Sequence, residues 1–176
     1  GSGKTLAYLV PIFEKYSEIQ KTNQVIILVP THELAMQVHA QVERLSKNSG
    51  IELKSAVIIG NVNILRQIEK LKEKPQIIIG TAGRIHELIK KKKIAAHTVK
   101  TIVVDEGDKL LNPDNIKGVQ EVIKCTMKDR QLLVFSASVT KKASEVAMDM
   151  MKDAKVIKTE KTQTIPTNIE HICLVV

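Results

Sequence analysis

Short runs of Ile, Val and Leu recur along this chain, and each gives way to a stretch with helical spacing. That alternation restricts the possible folds more than any other feature. The segments 25–29, 53–59, 76–79, 101–104, 132–135 and 155–157 read as strands. Where they are apolar at consecutive positions, they suit a sheet buried on both faces. Between them, helices are predicted over 31–47, 63–73, 84–92, 116–127 and 141–151. The helix over 31–47 places Leu34, Ala35, Val38, Val42 and Leu45 on one face, and that over 63–73 does the same with Ile64, Leu65, Ile68 and Leu71. A further helix over 6–19 precedes the first strand, and Pro11 within it predicts a kink or break. Short strands separated by helices imply βαβ units. The expected fold is α/β, a doubly wound parallel sheet with helices on both faces.

The 176 residues suffice for one domain with a real core, and aromatics at 2% make that core aliphatic. A net charge of +8 favours polyanionic partners, nucleic acid above all. Part of the excess is the Lys90 to Lys93 run, which reads as a solvated helix end. Cys125 and Cys173 are too few and too far apart for a disulfide framework or metal knuckle, so a reducing cytoplasm is expected. No apolar run reaches transmembrane length, and no signal peptide precedes the first motif. His39, His86, His97 and His171 lack ligand spacing, and Met148, Met150 and Met151 read as packing. Arg44 and Arg66 are expected to pair with acids on their own helices.

Two stretches carry chemistry. The apolar strand 101–104 ends in Asp105-Glu106-Gly107-Asp108. Three carboxylates so close repel one another, and a hydrated Mg²⁺ shared with substrate phosphates would relieve the repulsion. At the start, Gly1-Ser2-Gly3-Lys4-Thr5 is the second half of a phosphate-binding loop, G-x-x-x-x-G-K-[ST]. Its glycines let N–H groups curl around a phosphate, Lys4 supplies charge, and the Thr5 hydroxyl can ligate Mg²⁺. The helix that follows aims its positive end at the same anion. In a doubly wound sheet both stretches fall on the C-terminal edge of the strands, where ligands bind. Together they form a nucleoside-triphosphatase pairing. Lys4 and Thr5 take phosphates and metal, Asp105 holds the metal through water, and Glu106 activates the attacking water.

At this point the chain resembles the DEAD-box RNA helicases of superfamily 2. Asp105-Glu106-Gly107-Asp108 is similar to the family's Asp-Glu-Ala-Asp, and Pro30-Thr31-His32-Glu33-Leu34-Ala35 to its Pro-Thr-Arg-Glu-Leu-Ala. Thr81-Ala82-Gly83-Arg84 resembles Thr-Pro-Gly-Arg, Ser136-Ala137-Ser138 resembles Ser-Ala-Thr, and Gly60-Asn61 stands where the family has Gly-Gly. The resemblance implies the first of two RecA-like domains, with ATP and Mg²⁺ as cofactors. It implies that Asp108 bonds the hydroxyl of Ser136 or Ser138. It also implies that Pro30, Thr31, His32, Gly60, Thr81, Gly83 and Arg84 contact RNA backbone without reading bases.

Five departures stand out: His32 for Arg, Asn61 for Gly, Ala82 for Pro, Gly107 for Ala and Ser138 for Thr, the last keeping the hydroxyl. Gly107 is expected to keep the small size needed beside a phosphate while loosening its turn. The domain is expected over 1–162. Segment 163–176 would be a linker and first strand toward a second RecA-like domain, which would supply an arginine finger. On that reading these residues alone form a monomer that neither hydrolyses ATP quickly nor unwinds RNA. The rival reading is a non-catalytic RNA-binding scaffold on a degenerate helicase fold.

Overall fold

The computed structural model describes residues 3–16, 22–138, 141–151 and 153–157. Five strands form one parallel sheet: β1 (Val25–Leu28), β2 (Ser55–Ile58), β3 (Ile77–Gly80), β4 (Thr101–Val104) and β5 (Gln131–Val134). Their spatial order is β2-β3-β1-β4-β5. The chain winds from β1 out to β2, back to β3, and then across to β4 and β5. Leu28 lies opposite both Gly80 and Val104, and Val104 opposite Val134. All strands therefore end at one level, and the loops beyond them share one edge.

The helices are α1 (Lys4–Lys15), α2 (His32–Ser49), α3 (Ile64–Lys72), α4 (Ala82–Lys90), α5 (Gly107–Leu110), α6 (Ile116–Lys124) and α7 (Lys141–Asp149). Alternate strand residues separate into two cores. Val25, Ile27, Ile77, Ile79 and Val103 meet Leu9 and Phe13 of α1 and Val38 and Val42 of α2. Ile26, Leu28, Ile78, Ile102 and Val104 meet Leu71 of α3, Ile85 and Leu88 of α4, and Val119 and Val122 of α6. Covering both faces is why β1, β3 and β4 could be apolar without alternation. Each fully buried Ile or Val contributes about 1.5–3 kcal/mol, which makes these central strands the main source of stability. β5 is only half-buried. Side chains start two of the helices: Thr31 Oγ1 accepts from Leu34 N at 3.2 Å, and Asn63 Oδ1 from Leu65 N at 2.9 Å.

Several expectations are corrected. Pro11 lies inside α1 and does not break it. Its ring is exposed while Tyr8, Leu9, Ile12 and Phe13 around it are buried, so core packing offsets the lost backbone bond. The helix ends at Lys15, and positions 17–19 lie outside the described residues. Residues 155–157 form no strand: Val156 and Ile157 are exposed, and β propensity without a paired neighbour fixes nothing. Leu65 points away from the core at 67% exposure. Arg44 and Arg66 form no ion pair among the described residues. The sequence reading also missed α5 and the 3-10 turn Ala96–Thr98. The segment 163–176, with Cys173 and His171, lies outside the described residues. Among the described residues no helix is long and apolar enough to cross a membrane.

Gly80 ends β3 where the sheet is tightest. A Cβ there would sit 1.7 Å from the Ile58 carbonyl oxygen, a backbone atom that cannot step aside. Gly80→Ala is expected to destabilise the fold by about 3 kcal/mol or more, read as the shift in urea midpoint at constant slope.

Candidate functional site

Asp105 follows β4 and is 3% exposed. Its Oδ2 accepts from the Tyr8 hydroxyl at 2.9 Å, and its Oδ1 from Glu106 N at 2.8 Å. Burial first, and then the Asp105 charge beside it, push the Tyr8 phenol far above its ordinary pKa. The phenol therefore stays protonated and remains a donor. The Thr5 hydroxyl beside the same phenol partly counters that shift. The helix that carries the phosphate-loop motif is thus joined to the buried acid of β4 through Tyr8. Tyr8 was missed in the sequence. Its signal was its place three residues after Thr5, on the same helical face.

The other two acids do not crowd Asp105. Glu106 adopts the left-handed region at φ 52, and its carboxylate pairs with Lys109 at 2.9 Å. Asp108 turns toward the strand next door. The Ser136 hydroxyl donates to Asp108 Oδ1 at 2.7 Å and accepts from Asp108 N at 3.2 Å. Ser136, not Ser138, is therefore the partner; Ser138 offers its carbonyl to the same hydroxyl. Burial works against the Asp108 charge, but the Ser136 hydroxyl and the N–H groups of Asp108 and Ala137 outweigh it and hold the carboxyl below the usual range. The expected reason for Gly107 needs correcting. Its small size serves β5: a Cβ would lie 2.8 Å from Val134 Cγ1 and 3.4 Å from the Phe135 carbonyl oxygen, whose bond from Gly107 N is 2.8 Å.

The loops after β1, β3 and β2 form the other part of the same edge. Thr31 is the exposed N-cap of α2, with Pro30 before it and exposed His32 after it. Thr81 is the N-cap of α4, and Ala82 its first helical residue, where proline is also favoured, so the replacement keeps the helix start. Gly83 is exposed. Arg84 is not free: its guanidinium donates to the Val62 carbonyl at 3.1 Å and pairs with Glu87 at 3.1 Å. It holds the β2 loop, where Gly60 is exposed and Asn61 takes φ 56. Asn tolerates that region better than other residues with a Cβ, so it does there what a glycine would do. At the chain start Gly3 takes φ 70 and caps α1, which places Lys4 and Thr5 in the first turn; Gly1 and Ser2 lie outside the described residues.

Fold and edge together define a RecA-like α/β domain. The chain belongs to the DEAD/DEAH box helicase family, whose model matches residues 1–146. It is 43% identical over 175 residues to the DEAD-box ATP-dependent RNA helicase CshC of Bacillus cereus, covering 99% of this chain and 44% of that protein. It is 41% identical to the probable ATP-dependent RNA helicase YfmL of Bacillus subtilis, covering 99% of this chain and 46% of that protein. The chain thus spans less than half the length of these relatives. Among solved structures it is similar to a DEAD box protein from Methanococcus jannaschii, with TM-score 0.78, 35% identity, and 87% and 41% of the two chains covered. It is also similar to Mss116p bound to ssRNA and AMP-PNP, with TM-score 0.75, 28% identity, and 86% and 33% covered.

Two outcomes follow from this geometry. Tyr8→Phe leaves buried Asp105 Oδ2 short of a partner and is expected to cost about 1–3 kcal/mol in denaturant unfolding. Asp108 titrates lower folded than unfolded, so its contribution to stability is present above the ordinary aspartate range and fades as pH falls through the folded value. Ser136→Ala is expected to raise the Asp108 pKa toward the ordinary value, seen in a carboxyl ¹³C titration, and to start acid unfolding at a higher pH.

Proposed function

We propose that this chain is the first RecA-like domain of a cytoplasmic ATP-dependent RNA helicase. The observation that carries this reading is the Tyr8 hydroxyl bonded to Asp105, which couples the phosphate-loop helix to the acidic strand. Residues 1–162 would form the domain, with 163–176 leading toward a second one. Nucleotide and nucleic acid then occupy adjoining parts of one edge: ATP beside β4 and β5, RNA backbone beside β1, β3 and β2.

Gly1, Ser2, Gly3, Lys4 and Thr5 bind the phosphates through N–H groups and one ammonium. The donor set fits Mg²⁺, because Asp105 and Thr5 offer hard oxygens only. When bound, Mg²⁺ supplies charge to the transferring phosphoryl oxygens. Glu106 orients a water and accepts its proton. Its left-handed backbone sets where that carboxylate emerges. Asp108 and Ser136 tie β4 to β5, so displacement at the nucleotide loops is passed to the neighbouring strand. Pro30, Thr31, His32, Gly60, Thr81, Gly83 and Arg84 present hydroxyls, loop N–H groups, helix N-termini and one guanidinium to phosphate, a sequence-independent and salt-sensitive mode. Arg84 serves both by charge and by bracing the Val62 loop. Rapid hydrolysis and local duplex separation are assigned to the parent protein, where a second domain closes over the nucleotide and adds an arginine.

The scaffold alternative rested on substituted RNA-face positions. Asn61 and Ala82 keep the backbone of a Gly and a Pro, which favours the catalytic reading.

The test is ATP turnover by the full-length protein, with and without RNA. RNA-stimulated turnover that falls about 10²–10⁴-fold in Glu106→Gln is expected. RNA binding without turnover in either protein would replace this reading with the scaffold.

A further inference from the structure

The edge opposite the site carries the charge. In a parallel sheet covered by returning helices, strand starts and helix C-termini lie together. On that N-terminal edge basic side chains outnumber acids about two to one, whereas on the C-terminal edge the signs balance. Lysine near a helix C-terminus is ordinarily explained by the helix dipole. Two of these lysines need another reason. α4 ends with Lys92 N–H donating to the Ile89 carbonyl and Lys93 N–H to that of Leu88, both at 2.9 Å, and Lys92 sits at φ 54. α3 ends with Lys74 at φ 53, its N–H on the Leu71 carbonyl at 3.0 Å. Glycine is the favoured residue in such left-handed caps, and α2 ends with one, Gly50 at φ 73. The dipole effect needs a cation in the last turn; it does not need one at a strained position.

The two turns are also fixed to each other. Buried Asn23 donates through Nδ2 to the Pro75 carbonyl at 2.7 Å, next to Lys74, and through Oδ1 accepts from Ala95 N at 3.1 Å, just past the lysine run. Lys74, Lys90, Lys92 and Lys93 are exposed and have no carboxylate partner among the described residues, while Lys91 is taken by Glu87. Among the described residues no exposed Phe, Tyr or Trp lies at this edge, although the exposed ring of His97 follows the lysine run. Tyr8, Phe13 and Tyr16 are buried, and Phe135 lies half-buried at the opposite edge. Five strands about 4.8 Å apart make the edge on the order of 20 Å wide, close to the width of a double helix. Fixed cations with no exposed Phe, Tyr or Trp beside them suit a duplex backbone better than a single strand.

We propose that the N-terminal edge of the sheet is a second nucleic-acid surface, with Lys74, Lys90, Lys92 and Lys93 binding the phosphate backbone of a duplex. The surface is separate from the RNA edge assigned above and does not depend on that assignment.

The test is fluorescence anisotropy of labelled 20-base-pair duplexes, RNA and DNA side by side, with the 176-residue chain across a range of KCl. Lys74→Gly/Lys92→Gly relieves two strained caps, so its melting temperature is expected to rise by a few degrees. Its duplex affinity is expected to fall about five- to tenfold, with a salt slope shallower by about two. Lys90→Glu/Lys93→Glu is a second variant, expected to lose more. The tighter of the two duplexes identifies the natural source. Affinity and salt slope unchanged in both lysine variants overturn the proposal. So does binding to phosphatidylserine vesicles with none to either duplex. Loss confined to Arg84→Ala overturns this surface and leaves the function above standing. Loss confined to the lysine variants supports this surface and counts against the RNA edge.

Discussion

A carboxylate buried at the end of a hydrophobic strand is costly, and the arrangement of this domain follows from how that cost is met at Asp105. The acid is held by a tyrosine from α1 as well as by its own turn. A second tyrosine, Tyr16, bonds Thr101 at 2.7 Å at the other end of β4. Eight residues of helix rise about 12 Å. Four residues of strand span about 13 Å. The two lengths match, so α1 is clamped along β4 at both ends. The phosphate-loop residues at the head of α1 are thereby set against Asp105 by the same packing that forms the core. Breaking α1 at Pro11 would lose that register, which is a reason for the helix to continue through it.

Strand order then decides which chemistry sits beside which. Because β1 lies between β3 and β4, the acidic turn is one strand away from the Thr31 cap and two from Thr81. Asp105 N donates to the Leu28 carbonyl and Val29 N to the Gly80 carbonyl, at 2.9 and 3.0 Å. The first of these backbone bonds crosses the boundary between the two parts of the edge, and the second joins β1 to β3 within one of them. On the far side, Gly107 N and Asp108 are both bonded to the chain just after β5. The acidic turn is therefore joined to a neighbour on each side, and a shift at one part of the edge meets a stiff connection to the other.

Most of this was legible in the sequence because it rests on local pattern. Unbroken apolar runs gave the strands, and two motifs at opposite ends of the chain gave the edge. What was not legible depends on partners distant in sequence. Tyr8 is a core residue by composition and a site residue only through Asp105, 97 positions away. The demand for glycine at 107 comes from Val134 and Phe135, not from its own turn. Arg84 reads as a free phosphate ligand until Val62 and Glu87 are seen beside it. The final run at 155–157 failed for the converse reason: its local propensity finds no neighbouring strand among the described residues.

Backbone strain supplies a last, independent argument. Five described residues other than glycine have positive φ: Asn61, Lys74, Lys92, Glu106 and Asp153. Such conformations persist where the surroundings hold them, and they concentrate at sites of function. Two of the five, Asn61 and Glu106, lie on the C-terminal edge, in the loop after β2 and in the acidic turn. Lys74 and Lys92 lie on the opposite edge and are exposed cations in caps that glycine would serve better. Asp153, exposed, follows the C-terminus of α7. Strain at Glu106 is offset by the position it gives a carboxylate. The same reasoning applied to Lys74 and Lys92 asks what they hold, and exposed cations with no carboxylate partner among the described residues match the phosphate backbone proposed above.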